Sequence, residues 1–123
     1  MSYDIELCDP VTKEVLTLDA PHDMRGGTYA IGGTTEAWLN ITYNYGKFYR
    51  EHCPTEGLRS IYGMTGAESI PYLQSMIATI QRNHPDCETS PDYWAAVPGN
   101  AIKPLHQLIA LARLRPDGVW KGD

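Results

Sequence analysis

Residues 24–50 read MRGGTYAIGGTTEAWLNITYNYGKFYR, and the part that follows Thr34 decides the fold because it satisfies two periods at once. As a strand, it turns Ala37, Leu39, Ile41 and Tyr43 to one side and Trp38, Asn40 and Thr42 to the other. As a helix, it brings Trp38, Ile41 and Tyr45 together, and Tyr45, Phe48, Tyr49 and His52 continue at i, i+3, i+4 and i+7. Thr34 or Thr35 can cap such a helix and Glu36 stands in its first turn, so the stretch is read as helical from about residue 35 to 51. Ile41, Thr42 and Tyr43 favour strands, and Gly46 interrupts either pattern. The choice matters because the two periods point different side chains inward.

Working outward, Ile5 and Leu7 alternate with polar neighbours, and Val15 to Leu18 repeats the pattern after Asp9-Pro10. This predicts an N-terminal hairpin, followed by a polar connection, Asp19-Ala20-Pro21-His22-Asp23. Thr65-Gly66-Ala67-Glu68 is a capping box, and Ile70, Leu73, Ile77 and Ile80 follow at helical spacing until His84-Pro85, which predicts a helix over 66–83. Ser90-Pro91-Asp92 opens a short helical turn carrying Tyr93 and Trp94. Asn100 is expected to cap a last helix with an apolar face of Ile102, Leu105, Leu108, Ile109, Leu111 and Ala112, and with Pro104 in its first turn. Pro116-Asp117-Gly118 stops that helix and leaves a flexible tail whose Trp120 docks on the domain or on a second subunit, so a homo-oligomer is compatible with the chain. The expected architecture is a single α+β domain over 1–123, with a small antiparallel sheet, the N-terminal hairpin, packed against three to four helices.

A chain of 123 residues with 42% hydrophobic and 20% charged residues is globular and long enough to bury its own core. Its net charge of −5 opposes binding to DNA or RNA polymers, which requires cations along the phosphates, but allows nucleotides as small ligands. No leader-like N-terminus or membrane-length apolar run occurs, and Cys8, Cys53 and Cys87 form no CxxC pair, so a cytoplasmic protein with reduced thiols is expected.

No complete catalytic, metal or cofactor motif is present. Gly27 to Gly32 has the spacing that opens a phosphate loop, but Gly33-Thr34 stands where Lys-Ser/Thr is required, so the charge that holds the phosphates is missing. A weaker anion cradle survives: Gly27, Thr28, Thr34 and Thr35 offer amides and hydroxyls, and Thr65-Gly66 offers a helix N-terminus. The same residues also serve as turn formers and caps. Trp38, Tyr43, Tyr45, Phe48 and Tyr49 are interleaved with Asn40 and Asn44 and flanked by Arg25 and Arg50. Tyr and Trp can stack on a base, Asn can read its edge and Arg can fork onto a phosphate, while about half of the five aromatics are expected to be core. His52 and Cys53, as helix neighbours, point about 100° apart and form no catalytic couple by themselves. His84-Pro-Asp-Cys87 is half of a metal site that lacks a second half, and Glu36 is a general base only if buried.

The runs RGGTYAIGGTTEAWLNITYNY and IYGMTGAESIPYLQ and the ending RPDGVWKGD resemble a group of small proteins encoded by phages, prophages and bacteria. The resemblance covers most of the chain and implies a setting, with no activity, cofactor or catalytic residue attached. Phage proteins of this size include sponges that sequester nucleotide messengers of bacterial immunity, and this chain is similar to them in size and composition. The leading expectation is therefore binding of a nucleotide-like anionic ligand through Arg25, Gly27, Thr28, Thr34, Thr35, Trp38, Asn40, Tyr43, Asn44, Tyr45, Tyr49, Arg50, Thr65 and Gly66. The alternatives are a protein-binding inhibitor with an acidic surface, and a small hydrolase or transferase using Glu36 or His52. A concave Tyr-Asn-Arg pocket favours the small ligand, a flat rimmed patch the protein partner.

Overall fold

The computed structural model describes residues 1–27 and 32–123. The stretch that satisfied two periods is strand first and helix second, with the change at Thr42. Strand β4 (Trp38–Thr42) pairs antiparallel with β1 (Ser2–Cys8), setting Tyr3 opposite Ile41 and Ile5 opposite Leu39, so that all four side chains are buried. Thr42 then accepts the Asn44 amide at 3.2 Å and caps a short 3-10 turn, Tyr43–Tyr45, which leads into α1 (Gly46–His52). The expected helix start at Thr34 or Thr35 is therefore wrong by about two turns. Both threonines lie on β3 (Gly33–Glu36), where β-branched residues suit an extended backbone. From Tyr45 onward the helical spacing holds, with Tyr45, Phe48 and Tyr49 buried on one face.

The expected hairpin is present only as its turn. Asp9 accepts the amides of Val11 and Thr12, and Cys8 bridges Val15. Strand β2 (Thr17–Asp23) then leaves β1 and pairs with β3 in a separate two-stranded ribbon, so the polar run 19–23, expected to be a connection, is strand. The two sheets part at a closed ring of three backbone bonds. Leu7 donates to Ala37, Ala37 to Leu16, and Leu16 to Leu7, all at 2.8 to 2.9 Å. These amides are buried, and the ring satisfies them where neither ladder reaches.

The final strand β5 (Val119–Gly122) lies on the other side of β1, giving the order β4-β1-β5. Trp120, expected on a flexible tail, is 1% exposed and donates its indole N–H to Ser69 at 2.8 Å, so it docks on its own domain. Both outer edges of the sheet are covered by short segments. Gly26 and Met24 bond Asn40 on the β4 side, and Gly63 and Met64 bond Trp120 on the β5 side.

Helix α2 (Gly66–Asn83) matches its expected bounds. Thr65 and Glu68 exchange the two bonds of the capping box, and Leu73, Met76, Ile77 and Ile80 face inward. Helix α3 (Pro98–Leu114) starts earlier than expected, with Pro98 at its first position and Val97 as its N-cap. Asn100 is thus a buried helical residue and not the cap. Its carboxamide accepts from Ser90 N–H and donates to the carbonyls of Ser90 and Asp92, which braces the 90–94 turn. The core fills the space between the inner sheet face and helices α1, α2 and α3. Among the described residues no helix is long and apolar enough to cross a membrane.

Candidate functional site

The structure distributes the expected ligand residues over separate places, and two of them are core. Tyr45 and Tyr49 have no exposed surface. Their hydroxyls donate to the backbone carbonyls of Tyr93 and Ala101, and burial pushes both phenols well above their ordinary pKa. Stacking on a ligand is closed to them because each ring is a pillar between α1 and the chain around α3.

The expected helix N-terminus is also occupied. The first amides of α2 donate to Gly118 (from Gly66), to Pro116 (from Ala67) and to the Thr65 hydroxyl (from Glu68). Gly66 is needed for this approach, since a Cβ there would stand 2.8 Å from the Arg115 carbonyl oxygen. Thr65 and Gly66 therefore join α2 to the 115–118 turn and leave no first-turn amide for a phosphate. Thr34 and Thr35 precede no helix, and the Thr34 hydroxyl accepts the Glu36 amide. Gly27 adopts φ +125° and donates to Gln107, with Tyr45 and Tyr93 packed where a side chain would be. Thr28 lies outside the described residues.

Three groupings do form. Arg25 lies 5.1 Å from the Tyr93 ring and 5.7 Å from that of Trp94, whose carbonyl is held by the Asn44 amide at 2.8 Å. Tyr43 and Arg50 lie near Tyr3 and Arg59, where β4 runs into the Tyr43–Tyr45 turn. Trp38 and Asn40 occupy the outer face of the three-stranded sheet, opposite the core.

That outer face is the broadest of the three. Pairing sets Asp4 opposite Asn40, and Glu6 between Trp38 and Lys121. Asn40 donates from its amide nitrogen to both Ser2 and Asp4, at 2.7 and 2.8 Å, which fixes the Asp4 carboxylate in the plane of the face. Two shallow depressions of about 240 and 330 Å³ share Asp4 and Glu6. Glu36 and Trp38 complete the first, and Lys121, Gly122 and Asp123 the second. Together they set four carboxylates and one ammonium on this face, with the partly exposed Trp38 lining the first. Sequence alternation in SYDIELC already placed Asp4 and Glu6 on one side of β1, but only the central position of β1 puts them in the middle of an open face.

The candidate catalytic groups remain apart. His52 Nδ1 meets the Thr79 hydroxyl at 2.9 Å and its ring packs edge-on to Tyr72. Cys53 lies beside Thr55, and the Glu56 amide chiefly holds its thiol below the ordinary range, while burial pushes that of Cys8 up. Glu36 is exposed on the ribbon. His84 Nε2 lies 2.8 Å from Glu51, which takes it away from the half-site read in residues 84–87. Among the described residues no three His, Cys, Asp or Glu side chains are grouped to hold a metal.

Compared with protein-family models, with curated proteins and with solved structures, the chain finds no match. A functional reading therefore rests on the site itself.

Proposed function

We propose that the protein is a binding module that docks, through the outer face of its three-stranded sheet, on a basic surface of a protein partner. The observation that supports this most is Trp38, partly exposed and fixed in a sheet ladder beside Asp4, Glu6 and Glu36, with Asp123 lining the neighbouring depression. A rigid aromatic supplies apolar contact area at small entropic cost, and the carboxylates steer and orient a cationic partner. A nucleotide would meet four carboxylates here, so the anionic-ligand reading does not belong to this face. In the phage-type setting that the sequence resembles, the partner would be a host protein and binding would act as inhibition.

The test is capture of partners from a host lysate by the wild-type chain, by Trp38→Ala, by Glu6→Lys, and by Glu88→Lys as a remote charge control. A partner with a basic interface that is retained by Glu88→Lys, and whose affinity falls at least about thirtyfold in Trp38→Ala, is the expected result. Its affinity should also fall with salt. A partner retained equally by all four proteins would rule out this face.

A further inference from the structure

We infer that a second site, at the junction of β1, the Tyr43–Tyr45 turn and α1, binds a phosphate-sized oxyanion between Arg50 and Arg59 with the hydroxyls of Tyr3 and Tyr43. The site adjoins the acidic sheet face through Asp123 but is built from other side chains and carries the opposite charge.

Tyr3 packs edge-on to Tyr43, with ring centroids 4.7 Å apart. The Arg59 guanidinium lies over both rings, 4.9 Å from Tyr3 and 5.3 Å from Tyr43. Its Nε donates to the Asp123 carbonyl at 2.7 Å and its Nη2 to the Tyr43 hydroxyl at 3.1 Å, which fixes the plane of the fork. Its Nη1 makes no hydrogen bond among the described residues.

Arg50 arrives from α1. The point where a Cβ on Gly46 would stand is 2.8 Å from the Tyr3 hydroxyl and 3.0 Å from Arg50 Nη1, so the phenol and the second guanidinium converge over that glycine. Gly46 has φ −57°, which alanine adopts equally well and with better helix propensity. Its role is thus spatial. Arg50 forms no ion pair or hydrogen bond among the described residues, and it is exposed. Burial raises the Tyr3 pKa, and Arg59 and then Arg50 oppose that shift, so both cations act on one hydroxyl. Asp123 is the nearby carboxylate; its Oδ1 accepts the Asp4 amide. The Arg50 fork, the Arg59 Nη1 and two phenols match the donor needs of a tetrahedral phosphate dianion, supplied as free phosphate or as a nucleoside monophosphate.

The test is amide NMR of the full chain titrated with inorganic phosphate, with adenosine monophosphate, and with chloride at matched ionic strength. Saturable shifts at Tyr3, Tyr43, Gly46 and Arg59 are expected with phosphate and not with chloride. Arg50→Gln should weaken binding about tenfold, as should Gly46→Ala, while both keep the wild-type spectrum elsewhere and Trp38→Ala leaves the affinity unchanged. Equal affinities for the two phosphates identify the phosphate group alone as the ligand, and tighter adenosine monophosphate identifies a nucleotide. Linear shifts shared with chloride, or affinity unaltered by Arg50→Gln, would overturn the inference.

Discussion

Replacing Asn100 by alanine separates two roles by magnitude. A helix N-cap lost to alanine costs about 1 kcal/mol. The structure instead gives Asn100 three bonds to backbone groups of the 90–94 turn, at 3.0 to 3.1 Å, from a side chain with no exposed surface. At about 1 kcal/mol for each bond, Asn100→Ala should cost about 3 kcal/mol and lower Tm by about 10 °C. Urea unfolding followed by tryptophan fluorescence measures the loss directly, with Trp94 reporting the turn itself. Asn100→Asp sharpens the test because it keeps the shape but presents a carboxylate to the carbonyls of Ser90 and Asp92. Burial raises the pKa of the introduced carboxyl above its unfolded value. That variant should therefore be most stable below the unfolded pKa and lose stability as pH rises through the folded one, where the carboxyl ionises and can no longer donate. A loss below about 1 kcal/mol for Asn100→Ala, together with no pH dependence for Asn100→Asp, would refute the bracing role.

Tyr45→Phe leaves the Tyr93 carbonyl without its phenol donor and should cost about 1–2 kcal/mol in thermal or urea unfolding, with partner and phosphate binding unchanged. Gly99→Ala should destabilise by more than about 2 kcal/mol despite alanine's better helix propensity, because its Cβ would stand 2.5 and 2.6 Å from the carbonyl oxygens of Glu88 and Cys87; calorimetry that finds stabilisation would contradict this packing. Burial raises the pKa of Tyr3, Tyr45, Tyr49, Tyr62, Tyr72 and Tyr93. Each contributes stability that is complete below the unfolded value of about 10 and lost above it, so ultraviolet titration should show these phenols ionising together with alkaline unfolding.

Helix α2 was legible end to end because its cap, its period and its stop all lie within twenty consecutive residues or so. Residues 35–45 were not, because both periods fit locally and the decision belongs to β1, which lies more than thirty residues earlier and pairs with β4. A far greater separation, with Cys8 paired to Val119, hid β5 and turned Trp120 from a tail residue into core. The abundance of hydroxyls and amides in the tyrosine-rich stretch was read as a ligand site. Part of it answers an internal need: the carbonyls of Tyr93 and Ala101 face the core and take their donors from Tyr45 and Tyr49. The strand alternative put Trp38 and Asn40 on one side, as the structure has them, although the stretch was read as helical, and the carboxylates of that face come from β1, β3 and the residue after β5.

The position of β1 also sets the order in which this chain can close during synthesis. Residues 2–8 are synthesised before both of their partners but form the middle of the sheet, so one flank is zipped by residues 38–42 and the other waits for residues 119–122. Throughout that interval the nascent molecule exposes an unpaired edge beside Ile5 and Leu7, and Ser69 has no indole to receive. Quenching or protection of Trp120 therefore marks the moment at which the newly made chain stops being adhesive.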